Sequence, residues 1–177
     1  MGNQQATSMD GFHSKLKGNV GELAIALDLT RKGYSVFKEL GDLSKTDLIA
    51  IVNSIPIMIQ VKYRKMSSNG TVEVLYGKSG PGYQYLYTKN DFDVIGVYIP
   101  EIDQCLYISH TEFNGNGSLY IRINPAKNNQ TQNIKMYTEY LSFERALRDY
   151  TPRTLSFTNE GDEIVQTTTE EILASES

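Results

Sequence analysis

The stretch TDLIAIVNSIPIMIQVKYR, residues 46–64, decides the fold. Asp47 opens an apolar run that reaches Val52, Asn53-Ser54 interrupts it, and Ile57–Arg64 forms a second run. Two short β-branched runs around an Asn-Ser pair predict a hairpin of strands 47–52 and 57–64, with Pro56 just past the turn. Side chains alternate faces along a strand. Gln60 and Lys62 therefore share one side, and Ile59, Val61 and Tyr63 the other. Pairing across the turn brings Asp47 close to Gln60. An acid, an amide and an ammonium then share one face, where leaving them unpaired would be costly.

Upstream, Ser14 is a good N-cap for a helix reaching about Lys32. Leu16, Val20, Leu23, Ala24 and Leu27 make its apolar face, Glu22 lies beside that stripe, and Gly33 is its stop. Tyr34–Phe37 reads as a short strand and 41–46 as a polar loop. Downstream, Thr71–Tyr76, Asp93–Ile99, Cys105–Ser109 and Ser118–Ile123 read as strands. Gly77–Gly82 reads as a mobile loop and Asn124–Asn133 as a polar one. Ile134–Tyr150 reads as a helix with Met136, Tyr140, Phe143 and Leu147 as its stripe. A helix, then mostly strands, then a helix predicts one α+β domain with a mixed sheet over residues 14–153. Residues 1–13 are a frayed N-terminus and 154–177 an acidic tail, with room for a short helix at Glu170–Leu173.

At 177 residues, 40% of them hydrophobic, the chain is long enough to bury a core without covalent staples. Cys105 is its lone cysteine, which excludes an intrachain disulfide and a cysteine-based zinc site. His13 and His110 are too few for a rich imidazole site. A single cysteine fits a reducing compartment. No run of 18 apolar residues offers a membrane span, and the start lacks a secretory pattern. The expected location is the cytoplasm of a bacterial or phage-infected cell. The net charge of −4 argues at first against nucleic acid. Its distribution argues the other way. Residues 154–177 hold six acids and no base, which leaves 17 bases against 15 acids in residues 1–153. A mildly basic body with an acidic tail is a hint of a nucleic-acid partner.

The polar groups on the hairpin carry the chemistry. Hard cations take oxygen ligands. Asp47 offers a carboxylate, Gln60 an amide oxygen and Val61 a backbone carbonyl, while Glu22 has the length to reach in directly or through water. Lys62 accepts nothing, but it can orient or activate a water and stabilise charge on a phosphate. This is the equipment of metal-assisted phosphodiester hydrolysis. Plainer roles stay open: Lys62 as an ion-pair partner of Asp47, Glu22 paired with Lys15 or Lys17, Gln60 satisfied by backbone. Candidate DNA contacts are Lys15, Lys17, Arg64, Lys65, Lys78, Lys89, Arg122, Lys127, Asn128 and Gln130. Gly77–Gly82 lacks the phosphate-cradling GxxxxGK pattern. Tyr83, Tyr85 and Tyr87 alternate as ordinary sheet tyrosines do, although they could also stack or hydrogen-bond.

The pattern Glu22…Thr46-Asp47…Gln60-Val61-Lys62 resembles the PD-(D/E)-X-K nuclease superfamily. The stretches KGNVGELAIALDLTRKGYSVFKELGDLSKTDLIAI and IMIQVKYRK are similar to the branch containing a group I intron homing endonuclease and its phage or bacterial relatives. Holliday-junction resolvases share a similar layout. Tyr87…Asp91–Tyr98 and Arg122–Pro125 with Asn128–Gln130 extend the likeness. The resemblance implies a restriction-endonuclease-like mixed sheet flanked by helices. It implies a Mg²⁺-dependent DNA endonuclease, with Mn²⁺ substituting, and Glu22, Asp47, Gln60 and Lys62 as catalytic residues. A small domain that must reach two strands implies a homodimer or tetramer. Two positions depart from the pattern. Thr46 stands where the motif has Pro, and Gln60 where it has an acid. Losing that negative charge predicts weaker Mg²⁺ binding. The alternatives are a Holliday-junction resolvase and a DNA-binding module that kept the fold without the cleavage.

Overall fold

The computed structural model describes residues 14–38, 44–80, 83–88, 90–113, 117–125, 134–151, 154–157 and 164–167. Helix α1 spans Ser14–Arg31. Strands follow at Ser35–Lys38 (β1), Leu48–Val52 (β2), Ile55–Tyr63 (β3), Thr71–Leu75 (β4), Gly77–Gly80 (β5), Tyr83–Leu86 (β6), Val94–Ile99 (β7), Gln104–Ser109 (β8) and Ser118–Arg122 (β9). A short helix α2, Phe143–Ala146, precedes β10 (Thr154–Phe157) and β11 (Ile164–Thr167). The central sheet has the order β1-β2-β3-β7-β8. β3 and β7 run parallel and the other neighbours antiparallel, so the sheet is mixed. The pairs β4–β9 and β5–β6 form separate antiparallel ribbons.

The β2–β3 hairpin turns on Asn53 and Ser54, whose φ angles are 50° and 67°. A two-residue turn with both φ positive matches the right-handed twist of the strands it joins. β3 begins at Ile55, two residues earlier than expected, and Pro56 stands opposite Ile51. The Asp47 N–H donates to the Ile59 carbonyl at 2.9 Å, so the ladder runs one residue beyond β2 and sets Asp47 beside Gln60.

α1 ends as its sequence predicts but buries a different face. Gly33 has φ +92°, its N–H donates to Thr30 O at 3.0 Å, and the Tyr34 N–H donates to Leu29 O at 3.1 Å. This is the left-handed cap that glycine permits. The residues turned to the sheet are Gly21, Ile25 and Leu29, while Leu16, Leu23 and Leu27 of the expected stripe are exposed. The cause is close approach. A Cβ on Gly21 would stand 3.4 Å from Tyr63 Cβ and Val61 Cγ1, and one on Gly96 would stand 3.1 Å from Ile25 Cδ1. Gly96 thus lets the helix come close, with Ile25 filling the dent it leaves over β7, while Gly21 sits over Val61 and Tyr63 with room for ordinary van der Waals contact. A count of apolar side chains gives glycine no weight and so selects the wrong face.

The sheet separates two cores. On the α1 side, Ile25 and Leu29 pack with Leu48, Ile57, Ile59 and Phe143. On the other side, Ile95, Val97 and Ile99 pack with Val72, Val74 and Ile121 of the β4–β9 ribbon and with Tyr87 and Phe92.

Three further expectations are corrected. Ile134–Tyr150 is not one helix but a 3-10 turn at Tyr137–Tyr140 followed by α2. Met136 is extended and bridges to Arg122, and Ser142 restarts the chain by accepting the Arg145 N–H at 3.1 Å. Gly77–Gly80, expected within a loop, pairs with Tyr83–Leu86. Thr154–Phe157 and Ile164–Thr167 pair with each other where composition alone reads as a solvated tail. Residues 1–13 and the expected helix at 170–173 lie outside the described residues. Among the described residues, no helix is long and apolar enough to cross a membrane.

Candidate active site

β3 divides its residues between two jobs. Val61 and Tyr63 meet α1 at Gly21. Gln60 and Lys62 face the opposite side of the sheet, and Asp47 joins them from the start of β2. Asp47 Oδ2 accepts the Val61 backbone N–H at 2.6 Å and the Gln60 side-chain amide. Gln60 Nε2 lies 3.4 Å from the Val61 carbonyl oxygen. Gln60 Oε1 accepts the Tyr87 hydroxyl at 3.1 Å, and the Tyr87 oxygen accepts the Lys62 ammonium at 3.0 Å. Gln60 and Tyr87 are buried, at 3% and 4% exposure, so the network meets the demand that buried polar groups be paired. Burial, the nearby Asp47 and Asp91 carboxylates and Tyr85 push the Tyr87 phenol up, against the opposing pull of Arg64. Tyr87 is therefore protonated, and a donor, at neutral pH.

A second cluster braces the first. Lys45 Nζ pairs with Asp91 Oδ1 at 2.7 Å, donates to the Tyr85 hydroxyl, and lies 4.1 Å from the Tyr85 ring centroid. Asp91 Oδ2 accepts the Tyr85 hydroxyl at 2.9 Å and the Thr88 N–H at 2.7 Å. Thr46 Oγ1 donates to the Asp91 carbonyl at 3.3 Å. Burial by itself would raise the Asp91 carboxyl. Lys45, the Thr88 N–H and Tyr85 outweigh it and hold the group below its usual range. The segment before Asp47 is thereby clipped to the segment that carries Tyr87.

The structure brings together Asp47, Gln60, Val61 and Lys62. It places Glu22 elsewhere. That side chain comes from α1, on the far side of the sheet from Gln60 and Lys62, and pairs with Lys38 Nζ at 2.7 Å. Arg64 and Lys65 continue from Lys62 into a groove of about 630 Å³, which Ser67, Asn69, Thr71 and Tyr120 also line. Burial lowers the Arg64 guanidinium from its ordinary value, and Glu73 and Tyr87 act against that. Arg122 sits two residues from Tyr120 on the same face of β9. Lys15 and Lys17 lie in the first turn of α1, and Lys78 stands opposite Tyr85 in the β5–β6 ribbon. Lys89, Lys127, Asn128 and Gln130 lie outside the described residues. Sequence reasoning missed Lys45 and Asp91, and it treated Tyr87 as one of three similar tyrosines. Nothing in a tyrosine alternation says which hydroxyl meets Lys62.

Among the described residues, no group of three His, Cys, Asp or Glu side chains is placed to hold a metal ion. The oxygens on offer are of mixed origin: the Asp47 carboxylate, the Val61 carbonyl and the Gln60 amide oxygen, which faces Tyr87 while the NH₂ end faces Asp47. All are hard donors, and with water they suit a cation of the Mg²⁺ class.

A mixed sheet whose hairpin gathers an acid, an amide and a lysine, beside a groove lined by Arg64, Lys65 and Glu73, has a layout that fits a nuclease. The chain belongs to the PD-(D/E)XK endonuclease family, whose model matches residues 12–143. Among solved structures it is similar to a bacterial homing endonuclease, I-Ssp6803I, at 26% identity and a TM-score of 0.60. That likeness covers 68% of this chain and 84% of the other. A search of curated proteins finds no match.

Proposed function

We propose that the chain is a Mg²⁺-dependent DNA endonuclease of homing-endonuclease type that hydrolyses phosphodiester bonds, with Mn²⁺ able to substitute. The observation that carries this is the convergence of Asp47, Gln60, the Val61 carbonyl and Lys62 on one face of β3, next to the groove that Arg64 and Lys65 line. Asp47, the Gln60 amide oxygen and the Val61 carbonyl would hold the cation. When bound, it supplies Lewis-acid charge and a more acidic water. Lys62 orients the attacking water and stabilises the charge that develops on the phosphate. Water adds to phosphorus, the bond to one ester oxygen breaks, and that oxygen leaves protonated. Arg64, Lys65 and Arg122 follow the DNA backbone. Glu22, paired with Lys38 on the far side of the sheet, takes no part in this proposal. One such site cuts one strand, so a homo-oligomer is part of the proposal.

The test is cleavage of supercoiled plasmid and of a four-way junction, with Mg²⁺, Mn²⁺ or EDTA, beside Lys62→Ala. Metal-dependent cutting that falls about 10²- to 10³-fold in the variant, with DNA binding retained, is expected. Full activity in Lys62→Ala sinks the assignment. A strong preference for the junction would make the protein a resolvase instead. Binding without products at any metal concentration would make it a DNA-binding module in which Gln60 has ended catalysis. Light scattering with and without DNA checks the assembly, and a strict monomer in both counts against it.

A further inference from the structure

We infer, building on the nuclease proposal, that Tyr87 is a positioning residue that couples the orientation of the Gln60 amide to the hold on Lys62. In this inference the site is latched when free of cation and is made ready by one half-turn of that amide.

The direction of the network follows from chemistry. An ammonium only donates hydrogen bonds, and a carboxylate only accepts them. Lys62 stands at one end and Asp47 at the other, with a phenol and an amide between. Every donor must then point the same way: Lys62 to Tyr87, Tyr87 to Gln60, Gln60 to Asp47. The Gln60 amide therefore shows Asp47 its NH₂ end. That end cannot ligate a hard cation, because only Oε1 has the lone pairs. Holding a cation between Asp47 and Gln60 requires the amide to turn over. Its two ends are nearly the same size, so the turn needs little space.

After the turn, Nε2 faces Tyr87, and the Tyr87 oxygen becomes its acceptor. The phenol proton, no longer spent on Gln60, is available to a water or a phosphate oxygen. The same oxygen is now shared between Nε2 and the Lys62 ammonium, which loosens the hold on Lys62. Tyr87 is thus the partner of Gln60 in both states. A carboxylate at position 60 would have no donor for Asp47 and no turn to make. Gln60, the family's missing acid, is what gives Tyr87 this task. The Tyr87 ring is well fixed for it, at 4.8 Å from the Phe92 ring and 5.8 Å from those of Tyr76 and Tyr85.

The test is a Mg²⁺ titration of ¹⁵N-labelled full chain, following the Gln60 side-chain amide, which Gln60→Glu identifies by its absence. In the unmutated protein, Mg²⁺ should move the Gln60 Nε2 signals, because the amide exchanges a carboxylate acceptor for a phenol. Tyr87→Phe keeps the ring and removes only the hydroxyl. It should abolish the phenol-dependent part of that shift and lower the cleavage rate about 10- to 100-fold, with DNA affinity close to that of the unmutated protein and a lower unfolding temperature, because the buried Gln60 Oε1 loses its donor. In a Gln60→Glu background, the same substitution should cost much less, because no amide remains to be positioned. The inference is overturned if Mg²⁺ leaves the Gln60 signals in place, if they move identically in Tyr87→Phe, or if that variant cuts at the normal rate. The titration requires no cleavage. A protein that shows the amide turn yet cuts no DNA would refute the nuclease proposal and leave the role of Tyr87 standing.

Discussion

The two faces of β3 carry opposite kinds of side chain. Toward α1 the strand presents Ile57, Ile59 and Val61 to a dry core, where Gly21 and Gly96 bring backbone and helix into contact. Toward the other side it presents Gln60 and Lys62, which reach Asp47 and Tyr87 through hydrogen bonds. The alternation of a strand makes this division possible, since adjacent residues point in opposite directions. What it teaches is economy of support. The chemistry sits on a strand that packing already fixes from behind, so the site residues need not contribute much to holding the fold. Ile25 over β7 does for the site what the Lys45–Asp91 clip does from the front.

The largest effects should separate the faces. Asp47→Ala should abolish metal-dependent cleavage, and it orphans the Val61 N–H and the Gln60 amide at a stability cost of about 1–3 kcal/mol. Ile25→Ala deletes a side chain with no exposure and should cost about 2–5 kcal/mol. Its cleavage, measured well below its melting temperature, should stay near normal. Urea unfolding and plasmid cleavage on both variants give the comparison. If Ile25→Ala lost cleavage as fully as Asp47→Ala without losing stability, the two faces would not be separable.

How much of this division was legible in the sequence follows the same line. The β2–β3 hairpin was legible because three signals agree there: two apolar runs of strand length, β-branched composition and a short polar turn. Asp47, Gln60 and Lys62 stood out for the same reason, as polar residues inside an apolar pattern. The buried face of α1 was not legible, because it rests on Gly21 and Gly96, whose contribution is the absence of a side chain. The final helix was misjudged because Tyr140 and Phe143, both buried, are three residues apart and mimic a helical stripe. They belong to two short turns that Ser142 separates. Tyr87 lies 25 residues from Lys62 and Asp91 46 residues from Lys45, and no local pattern announces a hydrogen bond across that distance.

A smaller effect is expected from acid. The Asp91 carboxyl sits below its ordinary value of 3.8, so it binds a proton less readily folded than unfolded. Its contribution to stability is complete above that value and is lost as pH falls through the lower folded one. Acid unfolding followed by circular dichroism should therefore steepen below pH 3.8, and Asp91→Asn should remove part of that steepening. An unchanged profile in Asp91→Asn would mean that the clip to Lys45 adds nothing to the catalytic side.

A pair of glycine substitutions tests the dry side at its closest points. Gly96→Ala puts a Cβ 3.1 Å from Ile25, tighter than the core can take without movement, and should destabilise by about 1–3 kcal/mol. Gly21→Ala places its Cβ 3.4 Å from Tyr63 and Val61, which is ordinary van der Waals contact. There the helix gains: alanine is favoured over glycine in a helix interior by about 1 kcal/mol. Gly21→Ala should therefore be neutral or slightly stabilising, with cleavage unchanged, by the same urea and plasmid measurements. If Gly21→Ala proved the more damaging of the two, the tight contact would lie at β3 itself. The helix would then set the position of Val61 and, through the strand, of Gln60 and Lys62, and the dry face would reach into the chemistry after all.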